Sequence, residues 1–279
     1  MKKHGSTILL IIIFFIGLSL LLYPSFSDWW NSMHQSRAIA SYSQQVAQLD
    51  DDRYAELWNT AWSYNSTLLE RANNFILSGA QMQTYEQLLN VGGTGIMGYV
   101  EIPSINVILP IYHGTSESVL QVAVGHLEWT SLPVGGGSSH CVISGHRGLP
   151  SAKLFTDLDK MAVGDVFMLR VLDEVLTYEV DQVLIVVPDD TQALRIEEGK
   201  DLCTLITCTP YGINSHRLLV RGHRIENIPE AKTIRVTADA VQIEPVIAAP
   251  LVAAPMLLTL LVVLLLPKRN WNRRNEYEE

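Results

Sequence analysis

The feature that most constrains the fold is a succession of short apolar, β-branched segments between Met97 and Ile225. Turn signals rich in Gly, Pro and Asp separate these segments, as at residues 133–137 and 188–190. Many short strands with frequent turns are typical of closed all-β architectures, in which closure removes exposed sheet edges. We therefore predict a mainly β fold, a closed barrel. The predicted strands are residues 107–111, 119–124, 140–144, 166–171, 176–187, 202–208 and 217–221.

Residues 29 to 90 lack strand alternation and instead carry apolar residues near helical spacing. Two amphipathic helices are predicted, over residues 30–49 and 53–77, with three aspartates between them that suit a helix N-cap. A glycine-rich stretch at 92–95 then leads into the β region. Residues 151–161 predict a short helical insertion within the barrel.

Both ends of the chain are apolar. Residues 7–23 follow two lysines and are just long enough to span the hydrocarbon core as a helix. A cleaved signal peptide is the alternative, but no small-x-small cleavage site precedes Pro24, which favours an uncleaved anchor. Residues 246–266 form a second apolar stretch, followed by four basic residues. The positive-inside rule then places both termini in the cytoplasm and the segment between the spans outside.

Composition narrows the classes of partner and chemistry. The formal net charge is −9, so the chain offers no basic stripe for nucleic-acid phosphates. No Cys/His pair has zinc-ligand spacing, and no acidic calcium constellation is evident, so we expect no metal and no cofactor. Three cysteines are an odd number, which leaves at least one thiol unpaired in an exported chain.

Three residue types at predicted strand ends point to cysteine acyl transfer. An apolar run ends at Cys208, just before a Pro-Tyr-Gly turn, and Arg217 opens the next apolar run nine residues later. The two runs predict a hairpin with Cys208 and Arg217 near its loop. A second strand delivers His146 into a Gly-bounded turn. Thiol, imidazole and guanidinium supply a nucleophile, an acid/base and a permanent cation.

These segments resemble the signature motifs of sortases, the transpeptidases of Gram-positive cell surfaces. Residues 204–208 read Thr-Leu-Ile-Thr-Cys, residues 144–148 read Ser-Gly-His-Arg-Gly, and residues 216–222 read His-Arg-Leu-Leu-Val-Arg-Gly. Three further segments are similar to the class C, pilus-building branch of the family. They are residues 98–107, 109–117 and 125–134.

The resemblance implies a sortase-type barrel in which Cys208, His146 and Arg217 are catalytic. The implied substrate is a Leu-Pro-x-Thr-Gly-like sorting signal, cleaved between Thr and Gly through an acyl-enzyme on Cys208. A lysine amine of a pilin or surface protein then accepts the acyl group, so pilins polymerise at the membrane of a Gram-positive bacterium. The alternatives are a cell-wall-anchoring sortase, a cysteine hydrolase that uses water, and a non-catalytic scaffold that binds sorting signals.

Several points stay open from the sequence. Thr207, next to the nucleophile, either binds substrate or points to the other face of its strand. Cys141 and Cys203 each lie five residues before a catalytic residue, so parallel neighbouring strands would place them side by side, turned away from the catalytic face. Because bridges between adjacent parallel positions are geometrically awkward, buried free thiols are favoured over a disulfide.

A class C sortase usually carries a lid marked by Asp-Pro and an aromatic residue, and residues 73–87 contain no Asp-Pro. Gating of the site by a lid therefore stays open, with Phe75 and Tyr85 as the aromatic residues of this segment. The predicted organisation is a cytoplasmic N-terminus, an anchor, a helical region, the barrel, a tether, a second span and a cytoplasmic tail. Their ranges are 1–6, 7–23, 24–91, 92–228, 229–245, 246–266 and 267–279.

Overall fold

The structure is a computed structural model that describes residues 5–68 and 77–227, with side chains from residue 9 onward. The predicted second span at 246–266, the tether, the tail and Phe75 lie outside the described residues. The helices are α1 (Gly5–Val46), α2 (Asp51–Leu68), α3 (Gly79–Gln87) and α4 (Glu117–Leu120).

The first helix continues without a break through the predicted anchor and the first predicted amphipathic helix. In the described part of the chain, the segment Leu9–Val46 is the one helix long and apolar enough to cross a membrane. The Asp50 carboxylate accepts a hydrogen bond from the Arg53 backbone N–H (2.7 Å), so the predicted aspartate cap of α2 is present. The helix α3 was not predicted; Ser78 and Gln81 begin it with a capping box.

Helices α1 and α2 are held against the β region by buried polar contacts. The Tyr42 hydroxyl donates to the carbonyl of Met97 (2.9 Å) and accepts from the Leu172 N–H (2.8 Å). The Asn65 amide makes two hydrogen bonds to the backbone of Leu132, at 2.7 and 3.1 Å. Because buried polar groups need such partners, these hydrogen bonds show that the helical region and the β region fold together.

Eight strands close into a barrel in the order β1-β2-β3-β4-β7-β8-β6-β5. This agrees with the closed barrel expected from the short strand pattern. The pairs β2–β3 and β4–β7 are parallel, and every other neighbouring pair is antiparallel. The strands are β1 (Ile96–Ile102), β2 (Val107–His113), β3 (Val124–His126), β4 (Ser139–Ser144), β5 (Val166–Val171), β6 (Glu174–Val186), β7 (Asp201–Thr209) and β8 (His216–Ile225).

Strands β4, β7 and β8 are apolar on both faces, and each face packs in a different apolar cluster. Side chains alternate between faces along each strand. One set fills the barrel interior together with Phe155 and Phe167, and includes Cys141, Cys203 and Leu205. The other set, Val142, Ile206 and Leu219, packs with Leu194 of the loop between β6 and β7 in a second, smaller apolar cluster. This cluster is flanked by Leu127, Trp129, Leu184, Val186 and Ala193.

Two local predictions were wrong. Residues 119–124 were predicted as a strand, but α4 occupies Glu117–Leu120 and β3 begins only at Val124. The apolar residues of this stretch are too few to distinguish one helical turn from a strand by periodicity. Residues 151–161 were predicted as helical, yet only Leu158–Lys160 forms a short 3-10 turn there. Burial of Phe155 and Leu158 in the core holds this segment in an irregular path.

Candidate active site

The end of β7 presents Cys208 opposite the start of β8. Cys208 pairs with Arg217 in the antiparallel ladder, as the predicted hairpin required. By alternation, both lie on the face that carries Ile206 and Leu219, outside the barrel interior. The Cys208 side chain is partly exposed, whereas the other two cysteines are buried. Among the three thiols, Cys208 is therefore the one a substrate can reach.

His146 follows β4, which runs parallel to β7. The register pairs Ser144 with Ile206, so two residues further along each chain His146 is level with Cys208. The ladder extends beyond the strand, because the Gly145 N–H donates to the carbonyl of Ile206 (3.0 Å). A parallel pair thus carries both side chains to the same edge of the barrel.

The His146 imidazole is partly exposed and has an acidic neighbour. Its Nε2 lies 3.8 Å from Oε2 of Glu117, the first residue of α4. The Glu117 carboxylate is 74% exposed, so water screens this pair strongly. The imidazole is therefore accessible for proton transfer rather than locked in a buried ion pair.

Arg217 points its guanidinium toward the loop that joins β7 and β8. Its Nη1 donates to the carbonyls of Asn214 (3.2 Å) and His216 (3.1 Å). These bonds hold one side of the planar fork and leave its other donors for a ligand. An arginine fixed in this way is suited to charge-assisted contacts with a carbonyl or an oxyanion.

The loop from 187 to 200, between β6 and β7, lies over the second apolar cluster, into which Leu194 inserts. Three side chains fix this loop. The His140 Nδ1 contacts the carbonyl of Arg195 (2.8 Å), and the Ser138 hydroxyl accepts from the Gly199 N–H (2.8 Å). Arg221 bridges Glu197 (2.9 Å) to Asp181 on β6 (2.9 Å). Arg221 thus anchors the loop.

His140 makes the stability of this region sensitive to acid. Burial is the main cause that lowers its pKa, and Arg221 adds to the effect. We expect the free energy of unfolding to fall as the pH drops below about 6.5, because the unfolded chain then binds a proton that folded His140 resists. Denaturant titration from pH 8 to 5 measures this. His140→Gln should flatten the slope, whereas His223→Gln, at an exposed position, should leave it unchanged.

His126, His113 and Tyr85 are structural residues. His126 is fully buried, and its ring nitrogens contact the Tyr85 hydroxyl (2.9 Å) and the carbonyl of Ser131 (2.8 Å). His113 contacts two backbone carbonyls, of Gly95 and Leu88. Tyr85 is itself fully buried, so it packs in the core and does not act as a lid over Cys208.

Cys141 and Cys203 pair directly across the parallel strands β4 and β7, as the equal spacing predicted. Both are free thiols within the barrel interior. Burial raises the pKa of Cys203 well above the ordinary thiol value, so this thiol stays protonated. Neither group shares the exposed edge with Cys208.

Thr207 does not present its side chain to solvent. It is 1% exposed, and its hydroxyl donates to the carbonyl of Gly145 (2.8 Å). A direct side-chain contact with substrate, which the sequence left open, therefore has no exposed atom to make it. The hydroxyl instead joins the β7 strand to the residue before His146. Sequence reasoning missed this link because it depends on the register of β4 against β7.

Comparison with known proteins agrees with this geometry. The family model of the sortase domain matches residues 100–225. Sortase C1 of Streptococcus agalactiae is similar at 50% identity, with a TM-score of 0.67, over 69% of this chain and 100% of that structure. The chain belongs to the sortase family. Sortases are cysteine transpeptidases, and the class C resemblance of the sequence is confirmed at the level of structure.

Two further relatives show that identity varies within the family. A sortase C of Streptococcus pneumoniae, described in relation to pilin substrate specificity, is 48% identical with a TM-score of 0.62. The match covers 68% of this chain and 97% of that structure. Sortase D of Bacillus subtilis is 33% identical over 131 residues, which is 46% of this sortase and 63% of that protein. Identity and coverage are thus higher for these two sortases C than for sortase D.

Proposed function

We propose that this sortase cleaves a Leu-Pro-x-Thr-Gly-like signal between Thr and Gly and transfers the acyl group to a lysine amine of a pilin subunit. The observation that carries the proposal is the strand register: Cys208 pairs with Arg217 in one ladder, and the parallel ladder of β4 and β7 ends at Ser144 and Ile206, two residues before His146 and Cys208. The relation to a sortase C described for pilin substrate specificity supports the pilin as substrate.

In the first half-reaction, the proton of the Cys208 thiol passes to His146 and the sulfur attacks the threonine carbonyl. Arg217 stabilises the negative charge that develops on the carbonyl oxygen. His146 donates a proton to the leaving glycine amine, the Thr–Gly C–N bond breaks, and a thioester remains on Cys208.

In the second half-reaction, the lysine amine attacks the thioester carbonyl. His146 accepts the proton of the amine, the C–S bond breaks, and the product is an isopeptide bond between two subunits. Both half-reactions use one thiol, so ping-pong kinetics are expected.

The partly buried flank of the second apolar cluster, which includes Leu184, Val186 and Ala193, is the proposed binding surface for the leucine and proline of the signal. It lies on the same strand face as Cys208 and Arg217, and Ile206 is two residues from the nucleophile. Apolar side chains on one face beside a polar catalytic edge are the usual composition of a binding cleft. The anchored loop at 187–200 forms the proposed wall of this cleft.

Val186→Ala should raise KM for the signal peptide about tenfold and leave kcat nearly unchanged, because Val186 is partly buried opposite Arg217 and an apolar contact of this size contributes about 1–3 kcal/mol to binding. Steady-state kinetics over a range of peptide concentrations measure both constants. Ile185→Ala is the control, because Ile185 is exposed on the opposite face of the same strand. A fall in kcat with KM unchanged would contradict the binding role.

We also propose the membrane topology and domain division expected from the sequence. Residues 7–23 act as an anchor, consistent with the apolar, exposed N-terminal part of α1. The catalytic domain, residues 92–228, is extracellular and preceded by the helical region 24–91. A second span at 246–266 returns the chain to the cytoplasm, by the distribution of basic residues.

Product analysis tests the function directly. The full chain in detergent micelles is mixed with a Leu-Pro-x-Thr-Gly peptide, with and without a lysine-containing pilin peptide. We expect an isopeptide-linked product when the amine is present, identified by mass spectrometry. A hydrolysed peptide in both samples would identify a cysteine hydrolase, and transfer only to a cell-wall peptide amine would identify an anchoring sortase. Binding without any product would identify a scaffold.

A further inference from the structure

Two side-chain links join the loop after β4 to the end of β7, one on each side of the proposed catalytic pair. The Thr207 hydroxyl donates to the carbonyl of Gly145 (2.8 Å). Arg147 Nη1 donates to the Thr209 hydroxyl at 3.5 Å, a long hydrogen bond. The neighbours of Cys208 on both sides therefore contact the neighbours of His146 on both sides. We call Gly145, Arg147, Thr207 and Thr209 the loop clamp.

Arg147 is held more firmly than its one long hydrogen bond suggests. Its side chain is only 10% exposed, and Nη2 forms an ion pair with Asp159. The guanidinium carbon lies 5.9 Å from the centre of the Tyr211 ring, within cation–π range. Asp159 belongs to the 3-10 turn after β4, and Tyr211 belongs to the loop after β7. One buried cation thus connects both loops.

Gly148 allows the loop after β4 to approach the loop after β7 closely. A Cβ at this position would lie 2.8 Å from the Tyr211 ring, and the residue has a φ of +74°. A side chain here would push the ring away and strain the backbone at the same time. The close approach of the two loops is therefore built into the sequence after His146.

We propose that Arg147 is a positioning residue that, through Thr209, sets the separation of His146 from Cys208. Thr207 fixes the other side of the same pair. The inference rests on the proposed catalytic roles of His146 and Cys208. It goes beyond them by assigning a function to a residue that adjoins the histidine and does not itself contact the reacting atoms.

The physical reason is the short range of proton transfer. An acid/base must come within about 2.6–3.2 Å of the atom it serves, and a misplacement of about 1 Å can cost about a hundredfold in rate. Both threonine side chains of the clamp are buried, so neither is free to contribute to substrate binding. Loss of the clamp should therefore reduce turnover and leave substrate affinity unchanged.

The test uses the full chain in detergent micelles with Arg147→Met and Thr209→Val. We expect kcat to fall about tenfold to a hundredfold in Arg147→Met, with KM nearly unchanged. Alkylation of Cys208 by iodoacetamide at neutral pH, located by peptide mass spectrometry, should slow as well, since this reaction needs the thiolate but no substrate. Arg147→Lys should recover part of the loss, because an ammonium still pairs with Asp159.

Arg224→Met is the matched control. Arg224 also donates to backbone carbonyls and lies over an aromatic ring, that of Tyr178 at 5.7 Å, but it is outside the clamp. Its kcat and alkylation rate should equal those of the wild type. The Arg147→Met/Thr209→Val double variant should lose little more than Arg147→Met alone, because both changes remove one link.

Wild-type kcat in Arg147→Met, a rise in KM in place of the fall in kcat, or the same loss in Arg224→Met would each overturn the inference. If Arg147→Met does not fold, Thr209→Val and Arg147→Lys decide by the same criteria. Failure of the proposed function is recognised separately, because the wild type would then form no thioester with the Leu-Pro-x-Thr-Gly peptide or no isopeptide product with the lysine peptide. A thioester that forms normally on Cys208 in Arg147→Met would refute the clamp alone.

Discussion

Cys208→Ala is expected to abolish acyl-enzyme formation completely. When the wild-type chain is mixed with a Leu-Pro-x-Thr-Gly peptide and no amine, intact mass spectrometry should show an adduct equal to the fragment through threonine. The variant should show none, because a methyl group cannot attack a carbonyl and no second partly exposed thiol exists among the three cysteines. Turnover should fall to the level of the uncatalysed reaction.

The other two cysteines are matched controls for this result. Cys141→Ala and Cys203→Ala remove thiols that pair side by side in the barrel interior. Each should keep the adduct, at a modest cost in the free energy of unfolding, because a small buried side chain is lost. An adduct that persists in Cys208→Ala, or that disappears in Cys203→Ala with the fold intact, would show that the nucleophile lies elsewhere.

Absence of an adduct in the wild type would have a different meaning. It would point to a covered site or a different sorting signal, and the helical region is the natural cover to test. Removing residues 25–90 and repeating the measurement distinguishes the two. An adduct that appears only then would assign gating to the helical region, without the Asp-Pro motif that usually marks a lid.

Arg217→Lys is expected to lower kcat about a hundredfold to a thousandfold, which corresponds to about 3–4 kcal/mol of transition-state stabilisation. Lysine keeps the positive charge, so charge alone is not removed. The variant lacks the planar guanidinium of arginine. In the wild type, the carbonyls of Asn214 and His216 hold Nη1 of this group, and its other donors remain for the substrate. A flexible ammonium cannot be fixed in the same orientation.

Single-turnover measurement of thioester formation is the appropriate assay, because it isolates the step in which the oxyanion develops. KM for the peptide should change much less than the rate of acylation. Arg224→Lys, on the same strand but at its far end, should leave both unchanged. Equal rates in Arg217→Lys and the wild type would remove Arg217 from the catalytic site.

Much of the site could be predicted from local sequence because strand ends and turns are local features. The apolar run that ends at Cys208 and the run that begins at Arg217 are separated by one turn, so antiparallel pairing brings them together. Cys141 and Cys203 have equal offsets from His146 and Cys208, so parallel neighbouring strands were expected to place them side by side, and they pair in the parallel ladder of β4 and β7.

Other parts of the fold could not be predicted from the periodicity of apolar residues. The short segment around Val119 contains one helical turn and then a three-residue strand, and both are shorter than the window in which a period can be detected. The segment around Phe155 follows an irregular path because its apolar residues are buried one by one in the core. The role of Arg221 as an anchor for the 187–200 loop required knowledge of its partners, Glu197 and Asp181.

The sequence by itself determined the all-β barrel, the apolar N-terminal helix and the three residue types at strand ends, since these follow from patterns within a few residues. Only the tertiary structure decided which residues surround them. Thr207 and Arg147 contact the opposite loop through the closing of β4 against β7, and Leu194 reaches its cluster through a folded loop. The contacts of Thr207 and Arg147 each join positions 62 residues apart, and their partners are selected by strand register and packing rather than by any local pattern.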